Sequence, residues 1–225
     1  MSVYLTEEEQ LALIRQLWDK YGTYVLATLV LVLAVIFGMR WWESSHRAVK
    51  LQASSVYQQL LVGVDKSSVQ TISTSANALI EQYPETVYSH YARMYLAKIA
   101  ADAGQYDKAL SFFREIIDGL SDPALVAITR LRAARVLAAQ GKYSDALDIL
   151  APISLKPYQS AKALARGDIY VAMKDYKRAR DAYQIALRDL AVSAATERSL
   201  IQMKLYNLPA VNKKQVAHRR KGVKV

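Results

Sequence analysis

The side chains best able to do chemistry in this 225-residue chain are few and far apart: His46, His90 and His218, and no cysteine at all. Without Cys there is no disulfide, thiolate zinc site, iron–sulfur ligation or cysteine nucleophile. Three scattered histidines do not offer the paired spacing that a zinc ion needs. No G-x-S-x-G, Gly-rich phosphate loop or H-E-x-x-H occurs. Asp145 and Asp148 stand on one helical stretch beside basic residues, where a solvated face is expected. His46 is expected to be interfacial, and His90, beside Tyr88 and Tyr91, belongs to a packing helix. Most of the 15 tyrosines fall on recurring positions that suit a core. The expectation is a protein that recognises other molecules, with no catalytic residue, no metal and no cofactor.

Composition narrows the architecture. With 52% hydrophobic residues, only 8 Gly and 5 Pro, the chain suits an all-α fold better than a turn-rich β-sandwich. The length leaves room for one domain plus accessories. The net charge of +10 is unevenly placed, since the last 17 residues hold six Lys/Arg and no acid. The body is only mildly basic, unlike a nucleic-acid-binding domain.

The elements that would position a binding surface repeat. Gly104-Gln-Tyr106-Asp-Lys-Ala109-Leu110 returns as Gly141-Lys-Tyr143-Ser-Asp-Ala146-Leu147, then more loosely as Lys174-Asp-Tyr176-Lys-Arg-Ala179-Arg180. Gly104, Gly141 and Lys174 are expected in turns that favour positive φ. Tyr106, Tyr143 and Tyr176 should each open a second helix. Ala109, Ala146 and Ala179 should let two backbones approach. Small residues precede them (Ala97, Ala134, Gly167) and large ones follow (Phe113, Leu150, Tyr183), the complementarity that a close-packed stack requires. The Tyr intervals of 37 and 33 bracket the 34-residue helix–turn–helix period. Through these residues the chain resembles tetratricopeptide repeats. A degenerate unit is expected ahead of them, with helices over 44–63 and 66–82, and a closing helix over about 193–207.

That resemblance implies a groove lined by first-helix positions. Counting back from each Ala gives Tyr91, Met94, Lys98 and Ala101; Ile128, Leu131, Arg135 and Ala138; Ala161, Leu164, Asp168 and Val171. An apolar and basic lining suits an extended peptide or helix of some acidic character. Met94, Leu131 and Leu164 could equally pack against neighbouring helices.

Ahead of the repeats, 19 residues between Lys20 and Arg40 carry no charge. As a helix they reach about 28 Å, close to the roughly 30 Å of bilayer hydrocarbon. Tyr21 and Tyr24 stand at one end, Trp41 and Trp42 at the other, where amphipathic rings favour the headgroup layer. The acidic leader Glu7-Glu8-Glu9 and the bulky Trp41-Trp42-Glu43 do not fit a cleaved signal peptide. Thr6-Glu7-Glu8-Glu9 has the capping-box pattern, and Leu11, Ile14 and Trp18 share one helical face. Basic residues flank both ends of the span, so charge does not set its orientation. The division expected is an amphipathic segment 1–20, a transmembrane helix 21–42, repeats 43–208 and a basic disordered tail 209–225. The tail could touch anionic lipid or RNA.

The order of parts, with Trp18, Tyr21-Gly22, Arg40-Trp41-Trp42 and the closing Gln202-Met203-Lys204-Leu205-Tyr206-Asn207-Leu208, resembles the YfgM-type ancillary subunits of the bacterial SecYEG translocon. The likeness spans about residues 7–208. It implies a single-pass inner-membrane protein with a cytoplasmic N-terminus and periplasmic repeats. The implied partners are the SecYEG translocon and periplasmic chaperones, to which secreted chains are passed. The same architecture could instead be a scaffold for an envelope-stress regulator or a cell-division complex.

Overall fold

The computed structural model describes residues 7–191 and 193–209; the side chains of Trp41, Trp42 and several others before Ala48 fall outside the description. Among the described residues the order is α1 (Glu7–Asp65), α2 (Val69–Gln82), α3 (Val87–Asp102), α4 (Tyr106–Gly119), α5 (Pro123–Ala139), α6 (Tyr143–Leu150), a 3-10 turn (Lys156–Tyr158), α7 (Gln159–Ala172), α8 (Tyr176–Asp189) and α9 (Ala195–Tyr206). The chain divides into two units, Met1–Ser55 and Val56–Val225.

The first unit is α1 up to Ser55. Its stretch Lys20–Phe37 is long and apolar enough to cross a membrane. Leu26, Leu29, Val30, Leu31, Val32 and Leu33 are all exposed. A contiguous apolar surface of this kind marks a lipid or protein contact. The helix meets its own backbone hydrogen-bonding needs, as a spanning segment must. Tyr21 and Tyr24 are exposed near one end, and Thr28 Oγ1 donates to the Tyr24 carbonyl at 2.8 Å. Thr6, the expected cap, lies outside the described residues.

The second unit is an all-α stack. α2, α3, α4, α5 and α6 pack each on the next, as do α7, α8 and α9, and α5 also meets α7. The expected helix over 44–63 is the last part of the unbroken α1, which shows no stop after Trp42. The helices expected over 66–82 and about 193–207 are α2 and α9. Pro84 follows the α2 C-cap Tyr83, where it cannot continue a helix. Pro123 takes the first turn of α5, whose N-cap Asp122 accepts from the Ala124 and Leu125 amides at 2.8 and 3.4 Å.

The turns are built alike. Gly104 and Gly141 have φ of +72° and +76°, and Lys174 adopts +59°. In each, the residue after the turn donates its amide back across six residues: Gln105 to Ala100, Lys142 to Leu137 and Asp175 to Tyr170, at 2.8–2.9 Å. The turn residue itself donates to Ala101, Ala138 or Val171 at 2.9–3.0 Å. These are Schellman closures, which satisfy the orphan carbonyls at a helix end. A fourth closes α1: Ser67 sits at φ +52°, and Ser68 donates to Gly63 at 2.8 Å. The degenerate repeat ahead of α3 thus makes the same turn with Ser67 at the positive-φ position.

Candidate functional site

The repeat positions meet in register. Ala109, Ala146 and Ala179 are wholly buried, and so are Ala97 and Ala134. Tyr106, Tyr143 and Tyr176 open α4, α6 and α8 and are half-buried. Phe113, Leu150 and Tyr183 fill the core. At Gly167 the fit is tightest: a Cβ there would stand 2.3 Å from the Tyr183 ring. Glycine is the residue that lets so large a ring lie on the α7 backbone.

The twelve groove positions separate into three kinds. Lys98 and Arg135 are exposed at equivalent places on α3 and α5, with Lys98 Nζ paired to Asp102 Oδ2 at 2.5 Å. Tyr91, Ala101, Ile128, Ala138, Ala161, Leu164 and Val171 are half-buried. Met94 and Leu131 do not line an open surface. Met94 packs with Ile116 and Leu125, and Leu131 belongs to the central core. Both point into the neighbouring helices, because the next repeat covers that side of the first helix.

Asp168 is exposed but engaged. Its Oδ1 accepts the Tyr183 hydroxyl at 2.6 Å and Lys204 Nζ at 2.7 Å, so it ties α7 to α8 and α9. Burial, with Asp168 beside it, drives the Tyr183 phenol above its ordinary value. The carboxylate is thereby tied to its neighbours in the stack; Lys98, paired with Asp102, and Arg135 are the exposed basic groups among the twelve positions.

Sequence reasoning missed the aromatic end of that surface. Tyr57, from the last turns of α1, lies 5.2 Å from Tyr88 and 5.8 Å from Tyr91 between ring centroids. Its phenol is pushed up to about 12, first by burial, then by Tyr95 through charge and a hydrogen bond, then by Tyr91 and Tyr88. The 88, 91, 95 spacing on α3 could have signalled one face; nothing in the sequence points to Tyr57. All four rings are half-buried. Such rings offer apolar area and a polar tip, a combination suited to protein recognition.

Other candidates are placed plainly. His90 is half-buried, and its imidazole is pushed down, first by burial and then by Arg93, against a small opposing pull from Glu85. Asp145 and Asp148 are exposed. The side chain of His46, all of His218, and the basic tail from residue 210 lie outside the described residues. An open recess of about 430 Å³ is lined by Gln59, Val62, Gln70, Thr71, Thr74 and Ser75; it shares no residue with the expected groove.

A family model described as a tetratricopeptide repeat-like domain matches residues 15–210. Relatives named ancillary SecYEG translocon subunit are 29% identical over 209 residues in Aggregatibacter actinomycetemcomitans and 26% identical over 212 residues in Haemophilus influenzae. Each match covers 92% of this chain and 100% of the relative. The Escherichia coli relative of the same name is 24% identical over 208 residues, covering 92% of this chain and 99% of the relative. The resemblance read from the anchor flanks and the closing stretch is borne out by these relatives.

Proposed function

The chain belongs to the tetratricopeptide repeat-like family, and from that premise we propose that it is a membrane-anchored adaptor of the SecYEG translocon. The repeat stack holds partner proteins and helps pass secreted chains to periplasmic chaperones. α1 crosses the bacterial inner membrane through Lys20–Phe37, with the N-terminus cytoplasmic and the repeats periplasmic. The observation that carries this reading is the end-to-end likeness to proteins named for that translocon, at 99–100% of their length.

The physics of such an adaptor is modest. Tethering a weak binder beside the channel raises its effective concentration, so the anchor supplies the targeting. The stack supplies half-buried tyrosines and the outward Lys98 and Arg135, a surface suited to an extended or helical segment with acidic residues. Asp168 contributes indirectly, by holding α8 and α9 in place.

The absence of cysteine makes the test direct. Lys98→Cys and Arg135→Cys, each carrying a short crosslinker in intact cells, should give adducts with translocon subunits or periplasmic chaperones. Adducts confined to an envelope-stress regulator or a division protein would replace this reading with the other scaffold role. Ser144→Cys, on an exposed turn of α6, should react with an impermeant thiol reagent in intact cells, and Leu5→Cys should not. The reverse pattern would invert the topology.

A further inference from the structure

The last helix of a repeat stack closes the core with one side and meets water with the other, so its outer side should be polar. α9 does the first and not the second. Ile201 and Leu208 are buried, and Leu205 packs with them in the cluster shared with α8. At about 100° per residue, Thr196, Ser199, Leu200, Met203 and Tyr206 share the opposite side, within an arc of about 120°. That arc contains no charged residue; Glu197 and Lys204 border it on one side and Arg198 on the other. Leu200 is 42% exposed, Met203 56% and Tyr206 89%. α4 shows the ordinary arrangement, since its exposed residues include Asp107, Lys108, Arg114, Glu115 and Asp118.

The face is also held in place. Lys204 Nζ donates to Asp168 at 2.7 Å, and Arg180 donates to the Pro209 carbonyl, just past α9, at 3.4 Å. A fixed face loses little freedom on binding. Tyr and Met are side chains that protein interfaces favour, the first as an anchor and the second as an adaptable contact.

Size and charge decide what fits there. α9 has 12 residues, so its outer face is a strip about 18 Å long. One such strip falls well short of the roughly 800 Å² per partner that a stable dimer buries, but it matches a single helix laid alongside. Residues 174–209, which form α8, α9 and their flanks, hold seven Lys/Arg against four Asp/Glu. A second copy would bring like charge to the contact, whereas an acidic partner brings the opposite charge. We propose that the outer face of α9 docks an amphipathic helix of another protein, apolar along one stripe and acidic along its flanks. This face shares no residue with the twelve groove positions, and the inference does not depend on the translocon reading.

The test uses the full-length chain in phosphatidylcholine nanodiscs, with Gln202→Cys, at the edge of the face, carrying a polarity-sensitive dye. Two synthetic helices about five turns long are titrated in, each with a leucine stripe, one flanked by Glu and the other by Lys. The Glu-flanked helix should shift the dye to the blue and bind about ten-fold more tightly than the Lys-flanked one, the gap closing at high salt. Met203→Ser with Tyr206→Ser should weaken that binding by about ten-fold or more. The thermal midpoint should hold, because both side chains are exposed. The same dye on Ser111→Cys, amid the charged side of α4, should not respond. No shift with either helix, equal affinities, or unchanged binding by the double variant would overturn the proposal. A fallen midpoint would place both side chains in the stack and overturn it too. Energy transfer between differently labelled copies, abolished by the same double variant, would assign the face to a second copy instead.

Discussion

The ring of Tyr183 occupies the space that a side chain on Gly167 would need: a Cβ there would come within 2.3 Å of ring atom Cε1. The previous repeat solves the same problem with Ala134 and Leu150, both fully buried. Each repeat therefore trades a smaller residue on its first helix for a larger one on its second.

Gly167→Ala should lower the unfolding free energy by about 1–3 kcal/mol, because overpacking outweighs the helix propensity gained. Tyr183→Leu alone should also cost stability, since it removes the hydroxyl bond to Asp168, but with Gly167→Ala it should cost less than the two single losses summed. Urea denaturation of both single variants and the double checks this. Additive losses would show that the pair is not coupled.

Lys174 holds a turn that glycine holds elsewhere. Lys174→Gly relieves the left-handed backbone and should stabilise by up to about 1 kcal/mol, whereas Gly141→Ala should cost about 1–2 kcal/mol. Thermal unfolding of the two variants should move in opposite directions.

The division of the expected groove into surface and core is measurable. Met94→Ala and Leu131→Ala should each cost about 2–5 kcal/mol. Lys98→Glu with Arg135→Glu should change stability by less than about 0.5 kcal/mol, and should abolish the partner adducts formed by a crosslinker on Tyr91→Cys in the same chain. Loss of folding in the charge-reversed variant would mean that those side chains belong to the stack.

The last turns of α1 belong to the repeats. Leu60 is fully buried, and Tyr57 packs at a tilt against Tyr88 and Tyr91. A chain beginning at residue 43 should fold as a soluble helical domain; one beginning at residue 66 should unfold at markedly lower urea. Equal midpoints would show that Tyr57 and Leu60 are dispensable.

Alkaline pH reads the half-buried Tyr57. The Tyr57 phenol rises from 10.0 to about 12 in the folded protein, so the unfolded chain loses its proton first. The stability this contributes is complete below about pH 10 and is lost as pH climbs towards 12. Tyr57→Phe should flatten that part of the alkaline unfolding curve, and an unchanged slope would remove Tyr57 as its source.

Much of the architecture was legible because it is local. A Gly-x-Tyr-x-x-Ala-Leu unit carries its own turn, helix start and close contact, and three copies show which residues are equivalent. The uncharged run from Tyr21 to Met39 is equally local. The turn at Ser67 was hidden because its geometry rests on backbone hydrogen bonds that another residue can also make.

The chain's sequence by itself determined the helical class, the repeat register, the small and large partners, and the single apolar span, since each depends on spacing along one helix. Only the tertiary structure decided that Met94 and Leu131 face inward and Lys98 and Arg135 outward. It alone bound Asp168 to Tyr183 and Lys204, and carried α1 without a break to Asp65. A first helix is flanked by its own second helix and by the next repeat. Which of its faces stays open depends on how successive pairs stack in space.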